Sequence, residues 1–254
     1  MKKFFLLLCL TGLLLVSQTV SADLITGSEG GWRTWNTTNL NQNGYPYWDN
    51  SSADGRNRNI GYYLTQTGAF TSSSAYEHPG TIPYWGNATG GFDLSFYFVK
   101  DSAYSNAALR LEVAGYRNYN SFGWYEWNAG SYTLHEIFSG SDSPSAAGIF
   151  TPTTQYGFYM INQPGNLFLT QAGALGSADR TFQHFAVFLE SANTYWIGVE
   201  DLLGGGDKDY NDMVIKVTPA AAPVPEPATM LLLGTGLIGL AGFGKRLKKA
   251  RKPD

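Results

Sequence analysis

The sequence predicts an all-β protein, a β-sandwich of jelly-roll type, carried between two targeting segments. Three observations lead there. Short apolar or alternating runs recur through the middle of the chain at roughly even spacing, separated by Gly, Asn, Ser and Pro. No stretch of ten residues between the two ends carries the 3.6-residue period of an amphipathic helix. Aromatic residues make up 15% of the chain, a share that suits half-buried pleated surfaces rather than helical ones.

Residues 1–22 read as a secretory signal peptide. Two lysines precede an apolar run from Phe4 to Val16, and Val20-Ser21-Ala22 places small residues where a signal peptidase reads, so cleavage is expected after Ala22. The run is short for a membrane span, and Cys9 lies inside it rather than after it, which argues against a lipoprotein signal.

Residues 23–120 form an aromatic and Asn-rich first part of the body. Its opening, to Pro83, is irregular, with short outer strands and long loops expected. Trp32, Trp35, Tyr45, Tyr47, Trp48, Tyr62, Tyr63, Tyr84 and Trp85 stand there, either to stack on sugar rings or to pack core and edges. Then "GFDLSFYFVK" alternates, with Phe92, Leu94, Phe96 and Phe98 expected on one face and Asp93, Ser95 and Tyr97 on the other. "ALRLEVAGY" alternates likewise, Leu109, Leu111 and Val113 inward and Arg110 and Glu112 outward.

Residues 121–218 continue in strands. "SFGWYEWNAG" and "SYTLHEIF" flank Asn128-Ala129-Gly130, and "QYGFYMIN", "GNLFLTQ", "HFAVFLES", "TYWIGVED" and "MVIKVTP" follow. One continuous domain is preferred over two small ones for a body of this size.

Composition narrows the function. The only cysteine is Cys9, so no disulfide staples the exported body. Setting aside Lys2, Lys3, six basic tail residues, Glu226 and Asp254 leaves a body with 9 basic and 18 acidic residues. That balance argues against nucleic acid as a partner and suits cation binding.

The acids are not spread evenly. "EDLLGGGDKDYND", residues 200–212, holds Glu200, Asp201, Asp207, Asp209, Asn211 and Asp212 around three consecutive glycines. Strand-like runs flank it, so the acids occupy the connection of a hairpin. Carboxylates crowded into one turn repel unless a cation neutralises them, and Ca²⁺ takes six to eight oxygen ligands. Asp207, Asp209 and Asn211 have the spacing with which an EF-hand loop begins. Asp212 stands where that loop needs Gly, and no helices flank it, so this is not an EF-hand. The other reading of the same residues is a turn capped by Asp and Asn.

Catalytic patterns are absent from the sequence. His78, His135 and His184 are scattered, there is no Gly-x-Ser-x-Gly elbow, and Gly204 to Gly206 is followed by acids that would repel phosphate. Glu112 paired with Glu126 is a carboxylate pair that sequence alone leaves open. A non-enzyme is expected.

After the body, residues 219–227 form a Pro-rich linker. Ala228 to Gly244 is 17 residues without a charge, the lower limit for a spanning helix, and 245–254 carry six basic residues expected on the cytoplasmic side. Val224-Pro225-Glu226-Pro227, the apolar run and the basic tail together resemble the PEP-CTERM sorting signal, with Pro225, Glu226 and Pro227 as its triplet. The resemblance implies recognition by an exosortase, an integral-membrane cysteine protease, transient anchoring in the inner membrane through the C-terminal helix, and delivery to the outer surface or the extracellular matrix of a host that makes exopolysaccharide. "GVEDLLGGGDKDYNDMVIKV" resembles the end of the DUF4114 family, and "FGWYEWN" (Phe122 to Asn128) an aromatic strand near that family's start. That family is common in exported bacterial proteins and has no defined activity.

The expected protein is therefore an exported, non-catalytic structural or adhesion protein with Ca²⁺ in its final hairpin. A carbohydrate-binding protein of the exopolysaccharide or cell-surface glycan is the alternative, and a hydrolase ranks third.

Overall fold

The structure is a computed structural model, which describes residues 23–34, 60–66, 83–89 and 91–220 except positions 113, 115, 129, 141, 143, 175, 192 and 193. The expected signal peptide, the Pro-Glu-Pro motif, the membrane helix at 228–244 and the aromatics Trp35, Tyr45, Tyr47 and Trp48 lie outside those residues. Among the described residues no helix is long and apolar enough to cross a membrane.

Among the described residues, thirteen strands make two antiparallel sheets. The first contains β1 (Leu24–Gly27), β4 (Phe96–Val99), β9 (Gln155–Ile161), β6 (Ser121–Asn128) and β7 (Ser131–Ser139) in that order, with β10 (Leu167–Leu169) also paired to β9. The second runs β2 (Gly31–Thr34), β3 (Pro83–Gly86), β11 (Phe185–Ser191), β12 (Thr194–Val199), β13 (Met213–Ala220), β5 (Tyr104–Glu112) and β8 (Ala147–Phe150). Both sheets therefore draw strands from both halves of the body, and both halves contribute to one core.

Period-two alternation decides what the sheets bury. Phe96, Phe98, Phe122, Phe138, Phe158 and Phe168 of the first sheet meet Leu109, Phe150, Val187, Ile197, Ile215 and Val217 of the second in one apolar layer. Phe98 touches Tyr156, Phe158 and Tyr195 with ring centroids 5.3, 5.3 and 5.7 Å apart, in stacked and edge-on geometries that suit aromatic quadrupoles. With no disulfide in the body, this layer is the main source of stability.

Both sheets are also covered on their outer faces, which is why strands such as β12 are buried along their whole length. Behind the second sheet, Tyr84, Phe188, Trp196, Tyr210 and Val214 pack under Ile60 and Leu64 of a short helix, α1 (Ile60–Gln66). Tyr125, Tyr159 and Leu169 form a smaller cluster behind the first sheet.

Two expected alternations are corrected. Phe92 packs behind the second sheet, Leu94 is exposed, and Asp93 is buried, accepting hydrogen bonds from Trp85 Nε1 at 3.1 Å and Ser28 Oγ at 3.1 Å. The reason is that 91–95 is an irregular approach to β4, so the strand's phase begins only at Phe96. In β5, Leu109 pairs with Ile215 but Leu111 with the adjacent Val214, a β-bulge that inserts Arg110. Leu109 thus faces the core, Leu111 the outer cluster, and Glu112 turns inward instead of outward.

Asp23 opens the described chain. Its buried carboxylate accepts from the backbone N–H groups of Asp101 and Ser102 and from Tyr156 Oη at 2.7 Å, which pins β1 to the edge of the first sheet.

Candidate metal centre

β12 and β13 form a hairpin in register from Tyr195–Val217 to Val199–Met213. Everything between, Glu200 to Asp212, is a connection folded over one end of the sandwich. Its backbone is unusual. Gly204, Gly205 and Gly206 have φ of 75°, 81° and 45°, and Lys208 and Tyr210 have φ of 59° and 55°. Left-handed backbone at two residues with side chains costs energy that the surroundings must supply. Part of that supply is visible. Tyr210 is buried, its Oη donates to Gln183 O at 2.7 Å, and its ring stacks on Phe182. Gly205 lies so close to Phe182 that a Cβ there would come within 2.1 Å of the ring.

This winding brings Glu200, Asp207 and Asp209 together, with a carboxylate oxygen from each within 4.8 Å of the others. Glu200 and Asp209 are buried and Asp207 is half-buried. Glu200 Oε1 accepts from Tyr210 N at 2.7 Å, while Oε2 is buried with no hydrogen-bond partner. Burial, reinforced by the charges of Asp212 and Asp209, holds the Glu200 carboxyl well above the usual carboxylate range. Asn211 does not offer its amide nitrogen to an ion: Nδ2 donates to Asp209 Oδ2, and Asn211 N donates to Asp209 Oδ1 at 3.2 Å.

Asp201 is held from the facing sheet, and Asp212 stands between it and Glu200, on which its charge acts. Asp201 is gripped from the opposite sheet, where Asn120 Nδ2 donates to its Oδ2 at 3.0 Å and Asn162 Nδ2 to its carbonyl at 2.7 Å. Asp201 N donates to Asp212 Oδ2 at 2.8 Å. Burial raises the pKa of both carboxyls, with Asp201 adding to the shift at Asp212. Of the six acids and amides singled out in the sequence, Glu200, Asp207 and Asp209 thus form one constellation, with Asn211 tied to Asp209, and Asp212 connects it to Asp201, whose N–H it accepts while its own charge acts on Glu200.

Residues far away in sequence complete the setting. Asp179 accepts from Gly204 N at 2.8 Å and from Thr181 N at 3.1 Å. Burial alone would raise its pKa, but these N–H donors bring it below the usual value. His184 bridges Asp179 and the Glu200 carbonyl and stacks on Phe168, and its burial lowers its pKa. None of Asn120, Asn162 and Asp179 carries a local motif that would have announced it. Each acts through a contact across the fold.

A short acidic turn rich in oxygens, with a buried carboxylate oxygen lacking a donor, is chemically suited to a hard cation such as Ca²⁺. Phosphate or another anion would be repelled. Among the described residues of the aromatic set that a glycan reading names, Tyr84 and Trp85 are buried, and Trp32 is exposed and stacks on Tyr195.

Residues 149–220 match the family model described as a domain of unknown function (DUF4114), and residues 223–246 match that of the PEP-CTERM protein-sorting motif. The first match contains the whole acidic connection and begins after β6 and β7, so the "FGWYEWN" strand lies outside it. The second contains Pro225, Glu226 and Pro227. No curated protein and no solved structure matches the chain.

Proposed function

We infer from the sorting motif an exported, cell-envelope-associated protein and a substrate of an exosortase. Beyond that, we propose that the body is a non-catalytic structural or adhesion module of the surface or matrix, which holds Ca²⁺ between Glu200, Asp207 and Asp209. The observation that carries this reading is Glu200: its Oε2 is buried without a donor, and one of its carboxylate oxygens lies within 4.8 Å of one from each of Asp207 and Asp209. A turn held only by capping hydrogen bonds would leave no buried carboxylate oxygen unsatisfied. A cation removes the repulsion, satisfies the orphan oxygen and locks the left-handed residues of the connection. Calcium, abundant outside the cell, would then make the module rigid only after export.

Thermal unfolding of the protein in EDTA, in millimolar Ca²⁺ and in millimolar Mg²⁺ tests this. The expected result is a rise in melting temperature with Ca²⁺ that Mg²⁺ does not reproduce, because Mg²⁺ demands a smaller octahedral cage and keeps its waters. Identical melting in all three would return the acids to turn chemistry.

A further inference from the structure

The β-bulge at Arg110 has a chemical result. It places Glu112 opposite Met213, which pairs with Val199, so that Glu112 sits across the second sheet from the point where the chain leaves β12 for Glu200 and Asp201. Glu112 is 8% exposed, and its Oε1 is buried with no hydrogen-bond partner. Asn120, just before β6 in the facing sheet, is 0% exposed, and its Oδ1 is also buried without a partner. The other end of that amide donates to Asp201 Oδ2 at 3.0 Å, so the orphan Oδ1 lies within about 5 Å of the same carboxylate, the two ends of an amide being about 2 Å apart. Asn120 Oδ1 thus stands beside a buried acid, and Glu112 Oε1 lies without a donor at the same end of the second sheet.

We propose that Glu112, Asn120 and Asp201 hold a second divalent cation, separate from the ion of the Glu200 turn. The ligand set is two carboxylates and an amide oxygen, the hard-oxygen chemistry of Ca²⁺. The two orphan oxygens each lack a hydrogen to accept, and a shared cation would satisfy that need. Burial raises Glu112 to about 7, with Asp142 and Asp201 adding to the rise and exposed Arg117 opposing it, so a neighbouring cation would favour its charged form. The site spans the two sheets, joining β5 to the Asn120 approach of β6 through Asp201. Its ion would clamp the open end of the sandwich, whereas the first ion orders the hairpin connection above it.

Counting bound ions distinguishes the two sites. The full chain, solubilised in detergent and stripped with EDTA, is dialysed against radioactive Ca²⁺ at pH 7.5, and bound calcium per chain is measured. Two ions are expected for the wild type, one for Glu112→Gln, one for Asn120→Ala and one for Asp207→Asn. The double variant Glu112→Gln with Asp207→Asn should retain none. Unchanged melting of each variant in EDTA, or higher melting where a charge is removed, shows that it has folded. A wild type binding one ion that Glu112→Gln and Asn120→Ala keep and Asp207→Asn loses would overturn the second site and leave the first standing. One ion lost in Glu112→Gln but kept in Asp207→Asn would uphold the second site and remove the first. No bound calcium would overturn both.

Discussion

Replacing Glu200 by glutamine keeps the shape of the side chain and the acceptor for Tyr210 N, and removes one charge. Two opposite effects should follow. In EDTA, Glu200 stands within 4.8 Å of the Asp207 and Asp209 carboxylates while fully buried. At that distance a like-charge pair costs about 3 kcal/mol at an effective dielectric of about 20, an upper bound because the group can take up a proton instead. The glutamine variant should therefore be more stable than wild type by about 1–3 kcal/mol in EDTA. With calcium the order reverses. A ligand at one hundred times its dissociation constant stabilises the folded state by about 2.7 kcal/mol. For a domain of this size each kcal/mol moves the melting temperature by about 2–4 °C, so wild type should gain roughly 5–11 °C and the variant little. Scanning calorimetry of both proteins in EDTA and in calcium measures all four values. Should the variant melt lower than wild type in EDTA, with calcium changing neither, the carboxylate is only an acceptor for Tyr210 N and the cation argument fails.

Other expectations follow from the same structure. Glu112 is raised to about 7 in the folded state. A raised carboxyl binds more protons folded than unfolded, so its contribution is present at acidic pH and is lost as pH rises through about 7. In EDTA, denaturant titration should show wild type losing stability relative to Glu112→Gln between pH 5 and pH 8, by up to about 3 kcal/mol. A constant difference across that range would contradict the burial argument. Gly205→Ala should lower stability by about 2 kcal/mol or more, since the residue has φ of 81° and its Cβ would strike Phe182. Urea unfolding checks it, and a loss under about 0.5 kcal/mol would show that the turn tolerates rearrangement. Phe158→Ala empties the centre of the sandwich, where the ring is 0% exposed, and should cost about 3–5 kcal/mol.

Much of this was legible in the chain because the signals are local. The acidic turn announces itself, since a run of acids and glycines between two apolar strands needs no long-range information. The phase of β4 from Phe96 onward follows from side-chain period, and β9 and β12 are recognisable as strands from their apolar and aromatic composition. Failures occur where a tertiary event resets the phase. Arg110 looks like an ordinary outward residue of "ALRLEV", yet it is the extra residue of a bulge, and that turns Glu112 from solvent to the interior. Leu94 looks like a core residue because it lies two positions before Phe96, but the strand has not begun there. The helix α1 is too short to show a period. Asn120 and Asn162 have no neighbours in sequence that hint at a carboxylate, and only the pairing of β6 with β9 sets them side by side over Asp201. Sequence also offered six ligands without ranking them, and the fold brings Glu200, Asp207 and Asp209 together while Asp201 is held from the facing sheet by Asn120.

A crystal structure of the protein grown in calcium tests the central claim most directly. The account expects an anomalous peak coordinated by Glu200, Asp207 and Asp209 at about 2.3–2.6 Å, the distance range of calcium to oxygen. Density for water alone at that position, with the turn otherwise unchanged and calcium in excess, would contradict it.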